Sequence, residues 1–161
     1  LSIIRFMEIK LIVVGKTKNH ELINLISNYV KRINFFNKFQ IIEVNSIKTK
    51  KNNENEIKKI EGENILKKIK NNDLLFLLDE KGKNYNSRKF ADFLKIKLKE
   101  SKTIIFVIGG AFGFSKEVYA KSNGLISLSK MTFSHQIIRL FFTEQLYRAF
   151  TILNNHPYHN D

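Results

Sequence analysis

The segment TIIFVIGGAFGFSKEVYAKS, Thr103–Ser122, passes from an apolar run through Gly109-Gly110-x-x-Gly113 into a helical pattern. A glycine-rich loop between a strand and a helix is a common place for a nucleotide to bind. The dinucleotide fingerprint is G-x-G-x-x-G in the first βαβ unit, with an acidic residue about 20 positions on. Here the glycines come late in the chain, and the following SLSKMTF (Ser127–Phe133) contains no carboxylate. Nor is the segment G-x-x-x-x-G-K-[ST]. It has the form of a nucleotide site without either standard phosphate cradle.

Outward from this loop the periodicities alternate. EIKLIVVG (Glu8–Gly15) is a short apolar run ending at glycine, as a buried parallel strand should. HELINLISNYVKRINFF has Leu22, Ile23, Leu25, Ile26, Tyr29, Val30 and Ile33 at helical spacing, and FQIIEVNSI is a second strand. The polar run KTKKNNENE reads as a flexible loop leading into a helix, NEIKKIEGENILKKIK. DLLFLLDEKGK is a third strand closed by a turn at Gly82, and SRKFADFLKIKLKE a helix with Ser87 as its N-cap. TIIFVIGG, SKEVYAKSN and GLISLSK supply a fourth strand, a short helix and a fifth strand. Residues 134–154, with no Gly or Pro, form a closing helix. This order specifies an α/β fold with a mainly parallel sheet and helices on both faces. Without linker or repeat, residues 7–161 read as one domain and residues 1–6, LSIIRF, as an upstream extension lacking the features of a signal peptide.

Composition bounds the function. The absence of cysteine excludes disulfides, thiolate metal sites and cysteine nucleophiles, and no metal is expected. No apolar run approaches the roughly 20 residues needed to span a bilayer, so a cytoplasmic protein is the expectation. Net charge is +13, from 28 Lys and Arg against 15 Asp and Glu. That excess makes a polyanion the natural partner, because neutralising each phosphate releases a counterion. An AT-rich genome would also enrich Lys, Asn and Ile, but would not remove acidic residues. The closing helix is apolar over more than the single stripe a surface helix buries, which points to a homodimer.

The glycine loop alone permits three readings. It is a sharp turn with Ser115 capping the next helix, an anion site at a helix N-terminus, or a backbone cradle for an adenosine-containing ligand. No Lys or Arg lies in the loop, which suits S-adenosylmethionine, a ligand with a positive sulfonium and no phosphate.

VIGGAFGF, SLSKMTFSHQIIRLFFTEQLYRAF and the terminal NHPYH, in that order and spacing, closely resemble the RlmH family, SPOUT-class pseudouridine N3-methyltransferases of the ribosomal large subunit. The resemblance runs from Met7 to the C-terminus. It implies a C-terminal trefoil knot, S-adenosylmethionine as methyl donor, and ribosomal RNA as substrate on the assembled ribosome. By position it assigns Leu78, Gly109, Leu128, Ser129, Lys130, Met131, Thr132 and Phe133 to the methyl donor. The family commonly has proline where Ser134 stands; serine can cap the same turn through its hydroxyl.

Methylating N3 requires a proton acceptor, or a cation near the forming anion. Three of the four histidines fall from position 135 onward. His135 is one candidate, Arg139 is expected to stabilise charge, and His156 to orient or deprotonate the base. Tyr158 offers a flat face for an unstacked base. The rival readings are a non-enzymatic RNA- or ribosome-binding protein and a phosphate-binding α/β enzyme.

Overall fold

The computed structural model describes residues 7–47 and 53–161. The proposed extension and residues 48–52 of the polar run lie outside them. The chain runs β1 (Ile9–Val14), α1 (His20–Phe36), β2 (Phe39–Val44), α2 (Glu54–Leu66), β3 (Leu74–Asn84) and α3 (Ser87–Leu98). It continues through β4 (Ile104–Ile108), α4 (Lys116–Lys121), β5 (Gly124–Ser127) and α5 (Ile137–Leu153). All described strand pairs are parallel, in the order β2-β1-β4-β3-β5.

Alternation along each strand builds two cores. Ile9, Leu11, Val13, Phe76, Phe106 and Ile108 face α1, α3 and α5. Ile12, Val14, Leu75, Leu77, Ile105 and Val107 face α2 and α4. Burial on both faces is why these strands read as unbroken apolar runs.

Helix starts follow side-chain chemistry. Asn19, Asn53, Asn86 and Ser115 each accept a backbone N–H from their helix's first turn. The cap of α3 is therefore Asn86, not Ser87. Ser87 instead donates its hydroxyl to Gln145 Oε1 at 2.9 Å, tying α3 to α5.

Gly82 is not a turn that closes β3. The strand continues to Asn84 and meets β5 twice, at Phe76–Leu78 and again at Lys83–Asn84, with a register break between. A Cβ at Gly82 would lie 2.6 Å from Ile126 N and Leu125 C, so the strands' close approach demands glycine there.

The broad apolar surface of α5 is largely covered within the chain. Phe142 packs on Phe106 of the sheet (4.9 Å between rings) and on Phe90 of α3 (6.3 Å), while Phe150 stacks on Phe36 of α1 (6.0 Å). What stays exposed lies near its start: Phe141, with Phe133 edge-on to it at 5.1 Å, and Met131.

Candidate active site

Parallel sheets leave their ligand crevice beyond the carboxyl ends of the strands. Here a cleft of about 590 Å³ opens there, walled by Leu78 and Asp79 leaving β3, Ile108 and the glycine loop leaving β4, and Ser127 leaving β5. Residues 128–136, apart from Lys130 and Gln136, form most of the remaining wall. They leave the sheet edge at β5, cross the ends of β3 and β4, and dock at the end of β1. There Gln136 Oε1 accepts from Lys18 N (3.1 Å) and Gln136 Nε2 donates to Lys16 O (3.1 Å). Along the crossing, Ser127 Oγ donates to Ser129 O (2.8 Å), Ser129 Oγ accepts from Met131 N (3.0 Å), and Thr132 Oγ1 donates to Glu80 Oε2 (3.0 Å). Ser134 Oγ accepts the Ile137 N–H at 3.2 Å, so serine caps the turn into α5.

In the glycine loop the Gly113 N–H bonds to Gly110 O at 3.2 Å, and Gly113 has φ +82°, a conformation that favours glycine. Phe114 and Ser115 anchor the loop in the interior. A Cβ on Gly109 would point at the Phe114 ring, 3.1 Å away.

Leu78, Gly109, Leu128, Ser129, Met131, Thr132, Phe133 and His135 all line the cleft, drawn from three separate stretches of sequence. Lys130 does not line it and is exposed. Sequence reasoning missed Asp79, Glu80 and Tyr119, which also line it. The available signal was the carboxylate pair that ends the apolar run LLFLLDE. Tyr119 donates to Asp79 Oδ2 across the cleft; desolvation, then that bond, pushes its phenol up to about 12. His135 titrates below its ordinary value, first through desolvation and then through the cations Arg139 and Lys18, which keeps the imidazole neutral at pH 7.

The other three predicted catalytic residues do not line the cleft. Arg139 is 1% exposed and spends its guanidinium on the chain itself. Nε donates to His135 O (2.9 Å), Nη1 to Gly15 O and Thr17 Oγ1 (both 2.9 Å), and Nη2 to Val14 O (2.8 Å). It fastens the start of α5 to the end of β1. Burial lowers its pKa, against the opposing charge of Glu43.

The tail is anchored away from the cleft. Tyr158 lies edge-on to Tyr147 (4.8 Å), carries the Arg148 guanidinium over its ring (4.8 Å) and donates to Glu144 Oε1 at 3.0 Å. Desolvation first, then bonds to Tyr29 and Glu144, raise its phenol well above the usual range. The flat face expected for a base is thus partly occupied. Asp161 receives a bidentate pair from Arg88 (2.7 and 2.8 Å), which with His159 holds its carboxyl down at about 2. Arg148 Nη1 donates to His159 Nδ1 (3.1 Å), fixing the tautomer whose Nε2–H reaches Asp161 Oδ1 (3.0 Å). His156 is exposed, tied by its backbone N–H to Thr151 O at 2.9 Å. No described helix is long and apolar enough to cross a membrane, and the described residues contain no cluster of three or more His, Cys, Asp or Glu suited to a metal.

A parallel α/β sheet with a glycine-lined cleft, walled by a segment crossing its carboxyl ends, defines a small-molecule-binding α/β protein of enzyme type. The chain belongs to the SPOUT methyltransferase family: the family described as "Predicted SPOUT methyltransferase" matches residues 7–159. It is 54% identical over 156 residues to "Ribosomal RNA large subunit methyltransferase H" of Flavobacterium psychrophilum, covering 96% of this chain and 99% of the relative. Proteins with the same name from Flavobacterium johnsoniae and Christiangramia forsetii are 52% and 51% identical over the same shares.

Proposed function

We propose that this protein transfers a methyl group from S-adenosylmethionine to N3 of a pseudouridine in 23S ribosomal RNA, on the assembled ribosome in the cytoplasm. The observation that carries the reading is the cleft: the glycine loop and the 128–133 run, separated in sequence by α4 and β5, form one wall system beside Asp79 and Glu80. Peptide groups suit an adenine edge, the loop has no cation to attract phosphate, and the carboxylates suit a positive ligand. Relatives named as large-subunit methyltransferases support the substrate.

The residues present fit this group. Leu78, Gly109 and Leu128–Phe133 would hold it, with Lys130 supporting from outside the cleft lining. When bound, S-adenosylmethionine supplies a methyl carbon made electrophilic by a sulfonium. The protein's own part is proton management and placement. His135, neutral at pH 7 and at the cleft, is the side chain best placed to accept the N3 proton. Arg139 acts through position: it fixes His135 by bonding its carbonyl, and holds residues 128–136 against β1. The +13 charge supplies the attraction to RNA.

The path of residues 128–136 over β3 and β4, together with the second meeting of β3 and β5, supports a trefoil knot in one domain spanning 7–161. His156 and Tyr158 lie on the tail, apart from the cleft of their own chain. We assign them to the RNA base through a homodimer, in which the exposed Phe133, Phe141 and Met131 supply apolar contact. Sedimentation showing only an 18.9 kDa monomer at micromolar concentration would remove the dimer and the tail's role with it. Calorimetric titration with S-adenosylmethionine tests the reading as a whole: micromolar binding is expected, and no heat at millimolar ligand would refute it.

A further inference from the structure

Glu61 lies on α2 and is 5% exposed. Its carboxylate reaches the back of the glycine loop: a Cβ on Gly110 would stand 2.8 Å from Oε1 and 3.1 Å from Oε2. The neighbouring Gly62 lets α2 come as close to the next turn of chain, where a Cβ would sit 2.5 Å from Ser115 Oγ, the cap of α4. The Ile47 backbone N–H, past the end of β2, favours the charged Glu61 carboxylate, while Oε1 has no hydrogen-bond partner among the described residues. Burial raises the carboxyl's pKa, opposed by the Ile47 peptide. A buried acceptor without a partner weakens a fold, and an apolar side chain would fill the space without that penalty. Glu61 does not line the cleft, so it is not a direct ligand contact.

We propose that Glu61 is a positioning residue for the methyl donor, propping the glycine loop from behind at Gly110 so that the loop's peptide groups face the cleft. The inference rests on the functional reading above. The loop is anchored at both ends, by β4 and by buried Phe114 and Ser115, while among the described residues its middle is held by its internal Gly113–Gly110 bond and backed by this carboxylate. Glycine at 110 follows from the same contact, because the carboxylate takes the space of a Cβ.

The test is calorimetry with S-adenosylmethionine on wild type, Glu61→Gln, Glu61→Ala, Gly110→Ala and the Glu61→Ala/Gly110→Ala double variant, each checked for folding by thermal unfolding. Glutamine keeps the shape and an acceptor oxygen and should bind within about twofold of wild type. Alanine, which leaves Gly110 without the carboxylate behind it, should bind about tenfold more weakly. Gly110→Ala drives a methyl group into the carboxylate and should weaken binding similarly. In the double variant that methyl finds room, so the combined loss should be smaller than the product of the single losses. Normal affinity in Glu61→Ala, equal loss in Gln and Ala, or independent effects of the two sites would each overturn the proposal. If Glu61→Ala does not fold, normal affinity in Gly110→Ala overturns it alone. Wild type that fails to bind refutes the functional reading and the inference with it. Wild type that binds, with variants that match it, refutes the inference only.

Discussion

Replacing Arg139 by lysine separates two roles that its sequence position allows. The guanidinium makes four hydrogen bonds, three to the carbonyls of Val14, Gly15 and His135 and one to Thr17 Oγ1, all at 2.8–2.9 Å. Lysine keeps the charge but has three donors at one point, so at least one acceptor is left without a partner. Each lost bond to a charged group costs about 1.5–3 kcal/mol, and imperfect replacement of the others brings the expected loss to about 2–4 kcal/mol. For a chain of this size that is a fall in Tm of roughly 5–12 °C. Urea unfolding followed by circular dichroism measures it. If Arg139 instead stabilised charge on the substrate, Arg139→Lys would fold normally and lose only turnover. Stability within about 0.5 kcal/mol of wild type, the scale of an ordinary surface change, would refute the positioning argument.

Gly82→Ala should abolish soluble protein or destabilise it by more than about 3 kcal/mol, because its methyl would meet backbone at 2.6 Å rather than a side chain that can move; expression and thermal melting decide this. His135 should titrate below 6.5 by NMR. With the folded pKa depressed, the unfolded chain takes up its proton first, so His135 makes stability fall as pH drops below 6.5, and His135→Asn should flatten that slope. Removing residues after Asn155 should leave S-adenosylmethionine affinity nearly unchanged while methyl transfer drops about 100-fold, the scale of a lost acid–base group. Equal behaviour in the binding and transfer assays would end the tail's proposed role. Gly109→Val should abolish methyl-donor binding, chiefly by displacing the Phe114 ring that its Cβ meets at 3.1 Å; normal affinity would show the loop to be only a turn.

Strands β1, β3 and β4 were legible because burial on both faces leaves an unbroken apolar run, and α1 and α3 because one buried face leaves a periodic one. Boundaries were less legible where two residues compete for one task, as Asn86 and Ser87 do for the α3 cap. Gly82 misled because a glycine forced by strand approach and a glycine forced by a turn look alike in sequence. The cleft's glycine loop and 128–133 run could be assigned through resemblance, while Asp79, Glu80 and Tyr119 come together only through the β3–β4–β5 arrangement. Arg139 shows the limit most clearly. A cation near a histidine suggests chemistry, and only the fold shows that the carbonyls of Val14, Gly15 and His135 surround it. Glu61 is hidden for the same reason: its environment is the back of a loop some fifty residues away in sequence.

The most direct test of the central claim is methyl transfer itself. The purified protein is incubated with ribosomes from a strain lacking this modification and S-adenosylmethionine labelled in its methyl group, and the RNA is digested and read by mass spectrometry. The label should appear in large-subunit RNA, on a single pseudouridine, as its N3-methyl derivative, and His135→Asn should reduce it. Ribosomes that take up no label, or label confined to small-subunit RNA or to another atom of the base, would contradict the account.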